Sequence, residues 1–217
     1  MNKVVVIDYG MSNLKSVQRA IEKVGAKPIL SSSYSEIVNA DRLILPGVGA
    51  FESGMSGLEN AGLTEAIYDF VKTGNPLLGI CLGMQMLLDY SEENGIHNGL
   101  GLISGKVVKI PAGDNNEYSR KIPHIGWAEL LKPKNINWKD SCLENTNSES
   151  YFYFVHSFMA HTEEKEHVLA HCNDEGLLVN AVIKKDNVTG LQFHPEKSGE
   201  TGLRLLSQFM DIPPLSL

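Results

Sequence analysis

The sequence predicts an α/β protein built on a central, mostly parallel β-sheet, with antiparallel strands added in the second half. Three observations carry this reading. Before Asn94, short apolar runs alternate with segments of helical period, the pattern of parallel strands joined by helical crossovers. After Asn94, strand-like runs follow one another with only turns between them, which makes hairpins. The chain then closes on an amphipathic helix, Gly202 to Met210, with Leu203, Leu206 and Phe209 on one face.

Val4 to Ile7 is apolar and β-branched, as a strand covered on both faces requires. It runs into the polar loop Asp8-Tyr9-Gly10-Met11-Ser12-Asn13, at a strand end where open α/β sheets gather ligands and partners. Ser12 and Asn13 can equally cap the helix that follows, marked by Leu14, Val17, Ile21 and Val24 and closed by Gly25. Pro28 to Leu30 is a brief second strand. Asp41 to Leu45 is a third, ending in Pro46-Gly47-Val48-Gly49-Ala50-Phe51, where glycines on both sides of Val48 allow close approach to a ligand. Helical patterns over Met55 to Asn60 and Leu63 to Lys72 lead to a buried strand, Pro76 to Ile80, and a helix carrying Met84, Met86, Leu87 and Leu88. In the second half Lys106 to Ile110, Glu129 to Leu131, Tyr151 to Val155, Val168 to His171, Val179 to Ile183 and Val188 to Gln192 read as strands. Ala112 to Lys121 and Lys134 to Ser150 are polar and read as loops. With no internal repeat and no long linker, residues 1–217 are expected to form one domain.

The bulk properties exclude several classes. A 217-residue chain with 42% hydrophobic and 21% charged residues is ordinary for a soluble globular protein. A formal net charge of −7 provides no general attraction for nucleic acid or an anionic membrane. The apolar run after Lys3 is too short for a signal peptide, and no stretch is long enough to span a bilayer. Three widely spaced cysteines without a CxxC pattern indicate neither a disulfide framework nor a zinc site. A reduced, cytoplasmic protein without a metal or cofactor is the expectation.

The sharpest local signal is Gly79-Ile80-Cys81-Leu82-Gly83, where the buried strand turns into a helix. A nucleophile at such a corner needs glycine neighbours, because the turn leaves no room for side chains. The new helix also aims backbone N–H groups at the thiol. A base and an orienter stand in Gln192-Phe193-His194-Pro195-Glu196, at the end of a strand. In extended backbone His194 and Glu196 project to the same side, which makes a Cys-His-acid set for acyl transfer. The Leu82 N–H, with an N–H of the Val48-Gly49 loop after a peptide rotation, would form the oxyanion hole.

Gly79-Ile80-Cys81-Leu82-Gly83-Met84-Gln85 with a downstream His194-Pro195-Glu196 resembles the class I glutamine amidotransferases. The likeness narrows to the glutaminase subunits of imidazole glycerol phosphate synthase through Asp8-Tyr9-Gly10 with Asn13-Leu14, Leu45 to Phe51, Pro123-His124-Ile125-Gly126-Trp127, Phe154-Val155-His156-Ser157 and His194 to Gly199. The resemblance implies a flavodoxin-like fold and glutamine hydrolysis by Cys81, His194 and Glu196. It also implies glutamine contacts at Gln85 and near Ser157. The expected partner is a cyclase β/α barrel, in a heterodimer, facing Asn13, His124, Trp127 and Lys197. Ser12, Ala128 and Val155 stand where the family more often has Gly, Asn and Tyr. They keep open a paralogous subunit serving a surface-sugar synthase. A stand-alone γ-glutamyl Cys hydrolase, a non-catalytic binding module and a glutaminase for an anthranilate-type synthase complete the alternatives.

Overall fold

The computed structural model describes residues 3–10, 13–112, 120–147 and 150–215. Ser12, with its capping role and its departure from the family, lies outside the described residues, as do parts of the loops expected over 112–121 and 134–150.

The organising strand is β4 (Leu77–Cys81), every residue of which is buried. It lies fourth in a seven-stranded sheet of order β11-β12-β13-β4-β3-β1-β2. The other strands of this sheet are β1 (Val4–Ile7), β2 (Pro28–Ser31), β3 (Arg42–Gly47), β11 (Val168–Asp174), β12 (Leu177–Lys185) and β13 (Val188–Leu191). From β2 to β13 neighbouring strands run parallel, and the hairpin β11–β12 is added antiparallel at the β13 edge. Two apolar layers cover the sheet. On one, α1 (Leu14–Lys23) and α6 (Gly199–Asp211) bury Val17, Ile21, Leu205, Leu206 and Phe209. On the other, α2 (Tyr34–Val38), α3 (Phe51–Asn60), α4 (Thr64–Lys72) and α5 (Leu82–Met86) bury Ile37, Phe51, Phe70 and Met84. Cover on both faces is why β1, β3 and β4 read as continuous apolar runs.

Two smaller sheets complete the second half. One has the order β10-β7-β5-β6, formed by β5 (Tyr90–Ser91), β6 (His97–Asn98), β7 (Gly105–Lys109) and β10 (Phe158–Thr162). The other is an antiparallel ribbon of β8 (His124–Glu129) and β9 (Tyr151–His156). Its inner face buries Ala128, Phe152 and Phe154, while Ile125, Trp127 and Tyr151 are exposed on the outer face. The antiparallel strands therefore form separate sheets as well as extending the central one.

Several boundaries differ from the sequence reading, each for a physical reason. The helix expected through Leu88 stops after Met86. The N–H groups of Leu100, Leu102 and Gly101 bond the carbonyls of Met86, Leu87 and Leu88, so a returning segment takes the acceptors that a longer helix would use. The strand expected at Glu129 to Leu131 is instead His124–Glu129, and Leu131 makes only an isolated bridge to His171. Strand β3 continues through Pro46 to Gly47, pairing Gly47 with Cys81. Helix α2, only five residues long, and β10 were not foreseen. An element so short shows barely one period.

The crossing of α5 over β3 and β4 demands glycine. A Cβ on Gly83 would lie 1.8 Å from the Leu45 carbonyl oxygen, and one on Gly79 would lie 2.7 Å from the Gly83 oxygen. Backbone cannot yield as a side chain can. Gly83→Ala is therefore expected to destabilise the fold by about 3 kcal/mol or more in urea unfolding, at or above the usual cost of overpacking. Gly62→Ala, where φ is +66° but nothing stands within 4 Å of the added carbon, should cost about 1 kcal/mol.

Candidate active site

Cys81 is the last residue of β4 and caps α5 with φ 55° and ψ −110°. Such backbone is costly for any residue with a side chain and persists only where the surroundings enforce it. Here the enforcing contacts are the close approaches at Gly79 and Gly83. The corner places Cys81 on the wall of a cavity of about 330 Å³, lined also by Val48, Gly49, Leu82, Gln85, Glu93, Ser157 and His194. Cys142 and Cys172, by contrast, are buried in the core, where burial pushes both thiols up to about 12.

His194 is held by its own backbone. Its N–H donates to Tyr153 O at 2.9 Å, and its carbonyl accepts from Ser198 Oγ at 2.7 Å. Ser198 Oγ in turn accepts from Tyr153 N at 3.0 Å, so β9 and one hydroxyl clamp the segment. His194 Nδ1 lies 2.8 Å from Glu196 Oε1, with both side chains almost wholly buried. A carboxylate only accepts, so Nδ1 carries the proton and Nε2 is left for Cys81. The expected cause of this pairing needs correction. Pro195–Lys197 is a 3-10 turn, and that turn, not extended backbone, swings Glu196 back onto the ring.

Burial alone would pull the His194 pKa down. Its hydrogen bonds with Cys81 and Glu196, and the negative charges they supply, outweigh burial and raise it to about 9. The imidazole is thus protonated at neutral pH, and the proton is in place before a substrate arrives.

Residues 5–212 match the family described as Glutamine amidotransferase class-I. The chain belongs to that family. Class I amidotransferases similar to it include imidazole glycerol phosphate synthase subunit HisH 1 of Legionella pneumophila (strain Lens), 49% identical over 98% of this chain and 100% of the relative. The HisH subunit of Desulfitobacterium hafniense (strain DSM 10664 / DCB-2) is 46% identical, covering 94% and 92%. A crystal structure titled glutamine amidotransferase shares the fold with a TM-score of 0.71 at 18% identity, covering 96% of this chain and 97% of that one.

In this amidotransferase the Val48-Gly49 loop and Leu82 line the cavity beside Cys81. The loop is anchored from behind by Tyr9, whose hydroxyl donates to Pro46 O at 2.7 Å. Gln85 and Ser157 line the same cavity. Both hydrogens of the Gln85 amide are engaged, by Phe158 O and Gln192 Oε1, each at 3.1 Å, which leaves Gln85 Oε1 to face a ligand. Glu93, which the sequence reading passed over, brings a carboxylate to the wall and accepts from the Phe51 N–H at 2.8 Å. Its only sequence signal was an acidic pair in a turn. Among the described residues no group of three or more His, Cys, Asp or Glu is arranged to hold a metal ion.

The four residues expected to face a partner divide. Trp127 is exposed, edge-on to Tyr153, and the Lys197 ammonium stands 6.0 Å above that tyrosine ring. Asn13 instead donates to Glu196 Oε1 at 2.9 Å, so it braces the acid. His124 turns inward, its Nδ1 3.2 Å from His156 Nε2 and its Nε2 3.8 Å from Asp174 Oδ1. His156 Nδ1 faces the Phe158 carbonyl at 2.8 Å, which requires a proton on that nitrogen. Burial drives the His156 pKa down to about 4, so this imidazole is neutral.

The His194 pair gives a sign to the pH dependence. Because the folded value of about 9 lies above the ordinary 6.5, its stabilisation is complete below pH 6.5 and disappears as pH rises through 9. An NMR titration of the His194 ring should show a midpoint near 9, and Glu196→Gln should lower it by about one unit or more. A midpoint near 6.5 in the wild type would mean the Cys81–His194–Glu196 contacts are not made.

Proposed function

We propose that this amidotransferase is the glutaminase subunit of an imidazole glycerol phosphate synthase, with residues 1–217 acting as one glutaminase domain. The observation that carries the chemistry is the buried His194–Glu196 pair beside a strained cysteine on a cavity wall. Near-full-length identity of 46–49% to HisH subunits supports the choice of pathway, histidine biosynthesis, over a surface-sugar synthase.

In the proposed mechanism the Cys81 thiolate attacks the γ-carboxamide of glutamine. The tetrahedral oxyanion is met by the Leu82 N–H and by a rotated N–H of the Val48-Gly49 loop, each such donor being worth about 2.7–4 kcal/mol of barrier. His194, already protonated, gives its proton to the departing ammonia, then takes one from the water that hydrolyses the γ-glutamyl thioester. Glu196 keeps the imidazole in the required tautomer, with Asn13 holding the carboxylate. Glu93 is the carboxylate on the wall to receive the α-ammonium of glutamine, while Gln85 and the Ser157 backbone fix the amino-acid end.

Ammonia set free in neutral water would be protonated and lose its nucleophilicity, so it must pass to a second site on another chain. We place the cyclase β/α barrel on the outer face of the β8–β9 ribbon. There Ile125, Trp127 and Tyr151 expose apolar surface, and Lys197 offers charge at its rim. The heterodimer is assigned to the cytoplasm. No helix among the described residues is long and apolar enough to cross a membrane.

Glutaminase assays of the purified chain, with and without a cyclase barrel carrying its nucleotide ligand, test this. Activity should be low alone, rise strongly with the cyclase, and fall on the order of 10⁴-fold in Cys81→Ala. Robust activity without a partner would make the protein a free-standing hydrolase, and no response to the cyclase would favour another synthase. Glu93→Gln should raise KM for glutamine with little change in kcat. Trp127→Ala should weaken binding to the cyclase by about 2 kcal/mol, roughly 30-fold in Kd by calorimetry.

A further inference from the structure

One side chain outside the His194–Glu196 pair also reaches the sulfur. Gln192 follows β13, is fully buried, and has its backbone N–H bonded to Ala181 O at 2.9 Å. Its Nε2 lies 3.9 Å from Cys81 Sγ, within hydrogen-bonding range for sulfur. Which end of the amide faces the sulfur is fixed by its hydrogen-bond partners. The chain of contacts settles it. Phe158 O, a backbone carbonyl that His156 also approaches, can only accept, so Gln85 turns its NH2 group toward it. That same NH2 meets Gln192 at 3.1 Å, which requires the Gln192 oxygen there. Gln192 therefore presents N–H to the sulfur.

We propose that Gln192 is a direct hydrogen-bond donor to the Cys81 sulfur, oriented by Gln85 and Phe158, and that it favours the thiolate over the thiol. The inference rests on reading Cys81 as the nucleophile. Two neighbours of the sulfur pull in opposite directions. The Val155 carbonyl, 4.0 Å away, can only accept, and so favours the protonated thiol. The Gln192 amide can only donate at this end, and a donor to the charged form stabilises that form. Unlike His194, an amide does not titrate, so its support for the thiolate is constant across pH. The reach is also built into the fold. Gln192 is two residues before His194, so one stretch of chain delivers both the base and the donor to the strand-end corner of β4.

The test is the rate of Cys81 alkylation by iodoacetamide against pH, read by mass spectrometry of the Cys81 peptide in the full chain. Gln192→Leu removes the donor, and Gln192→Glu places a carboxylate against the sulfur. Both should move the midpoint of the alkylation curve up by about one pH unit or more, and lower kcat for glutamine at neutral pH more than they change KM. A merely space-filling role would leave that midpoint where it is. An unshifted midpoint in a variant that unfolds at the wild-type temperature overturns the proposal. Gln85→Met keeps Gln192 but frees its amide to turn, so it must move the midpoint the same way. A wild-type curve there overturns the proposal even where the Gln192 variants fail to fold. Cys81→Ala separates the two levels of argument. Retained glutaminase activity in Cys81→Ala sinks the reading of the nucleophile itself, whereas loss of activity with unshifted curves sinks only the role of Gln192.

Discussion

Everything in this molecule turns on one backbone contact, where α5 crosses the end of β3 so closely that Gly83 has no space for a side chain against the Leu45 carbonyl. That approach bends the chain at Cys81 into left-handed φ and sets the residue on the cavity wall at the C-terminal end of β4. It also carries Leu82 into the cavity wall next to the Val48-Gly49 loop, so the proposed nucleophile and the proposed Leu82 donor share a single structural cause. The strain at Cys81 persists because α5 is packed on both flanks, against β3 and β4 through glycines and against the returning segment that takes its last carbonyls.

The proposed base arrives by a different route. His194 and Glu196 sit beyond β13, and their turn is fastened to the β8–β9 ribbon through Tyr153 and Ser198. The face proposed to meet the cyclase and the clamp on the His194 segment therefore belong to one small sheet. Trp127 and Lys197 both lean on the Tyr153 ring, whose backbone holds His194. Inward, the ribbon contributes His156, which bonds the same Phe158 carbonyl that orients Gln85. His156, Gln85 and Gln192 are thus linked through one carbonyl and one amide pair, which favours a single arrangement of these side chains.

The sequence exposed most of this, and its failures have causes. Continuous apolar runs marked β1, β3 and β4 because strands covered on both faces have no polar side to show. The Gly-x-Cys-x-Gly spacing revealed the corner because close backbone approach leaves glycine as its record. Short elements escaped: α2 is barely a turn, and β10, only one residue after β9, has no assignment beyond the strand read over Tyr151 to Val155. The pairing of His194 with Glu196 was legible, but its reason was not, since a 3-10 turn has no periodicity of its own. The long-range contacts of Glu93, Gln192 and Tyr9 could not be read locally, although Glu93 shows as half of an acidic pair and Tyr9 stands in the Asp8-Tyr9-Gly10 motif. Family likeness names Asn13 and His124 as partner-facing, and their contacts with Glu196 and His156 come only with three-dimensional packing.

The loop between β1 and α1 holds two fixed points. At one end Tyr9 grips the Pro46 carbonyl, and at the other Asn13, in left-handed backbone, grips Glu196. One anchor holds the strand end that leads into the Val48-Gly49 loop, and the other holds the partner of His194, so the number of residues between them is tied to both. Substitutions between the anchors leave that number alone. A residue inserted or removed between them would strain one grip or the other, and so loosen the Pro46 carbonyl or Glu196. Variation in this segment should therefore run to changes of side chain, with its length held constant.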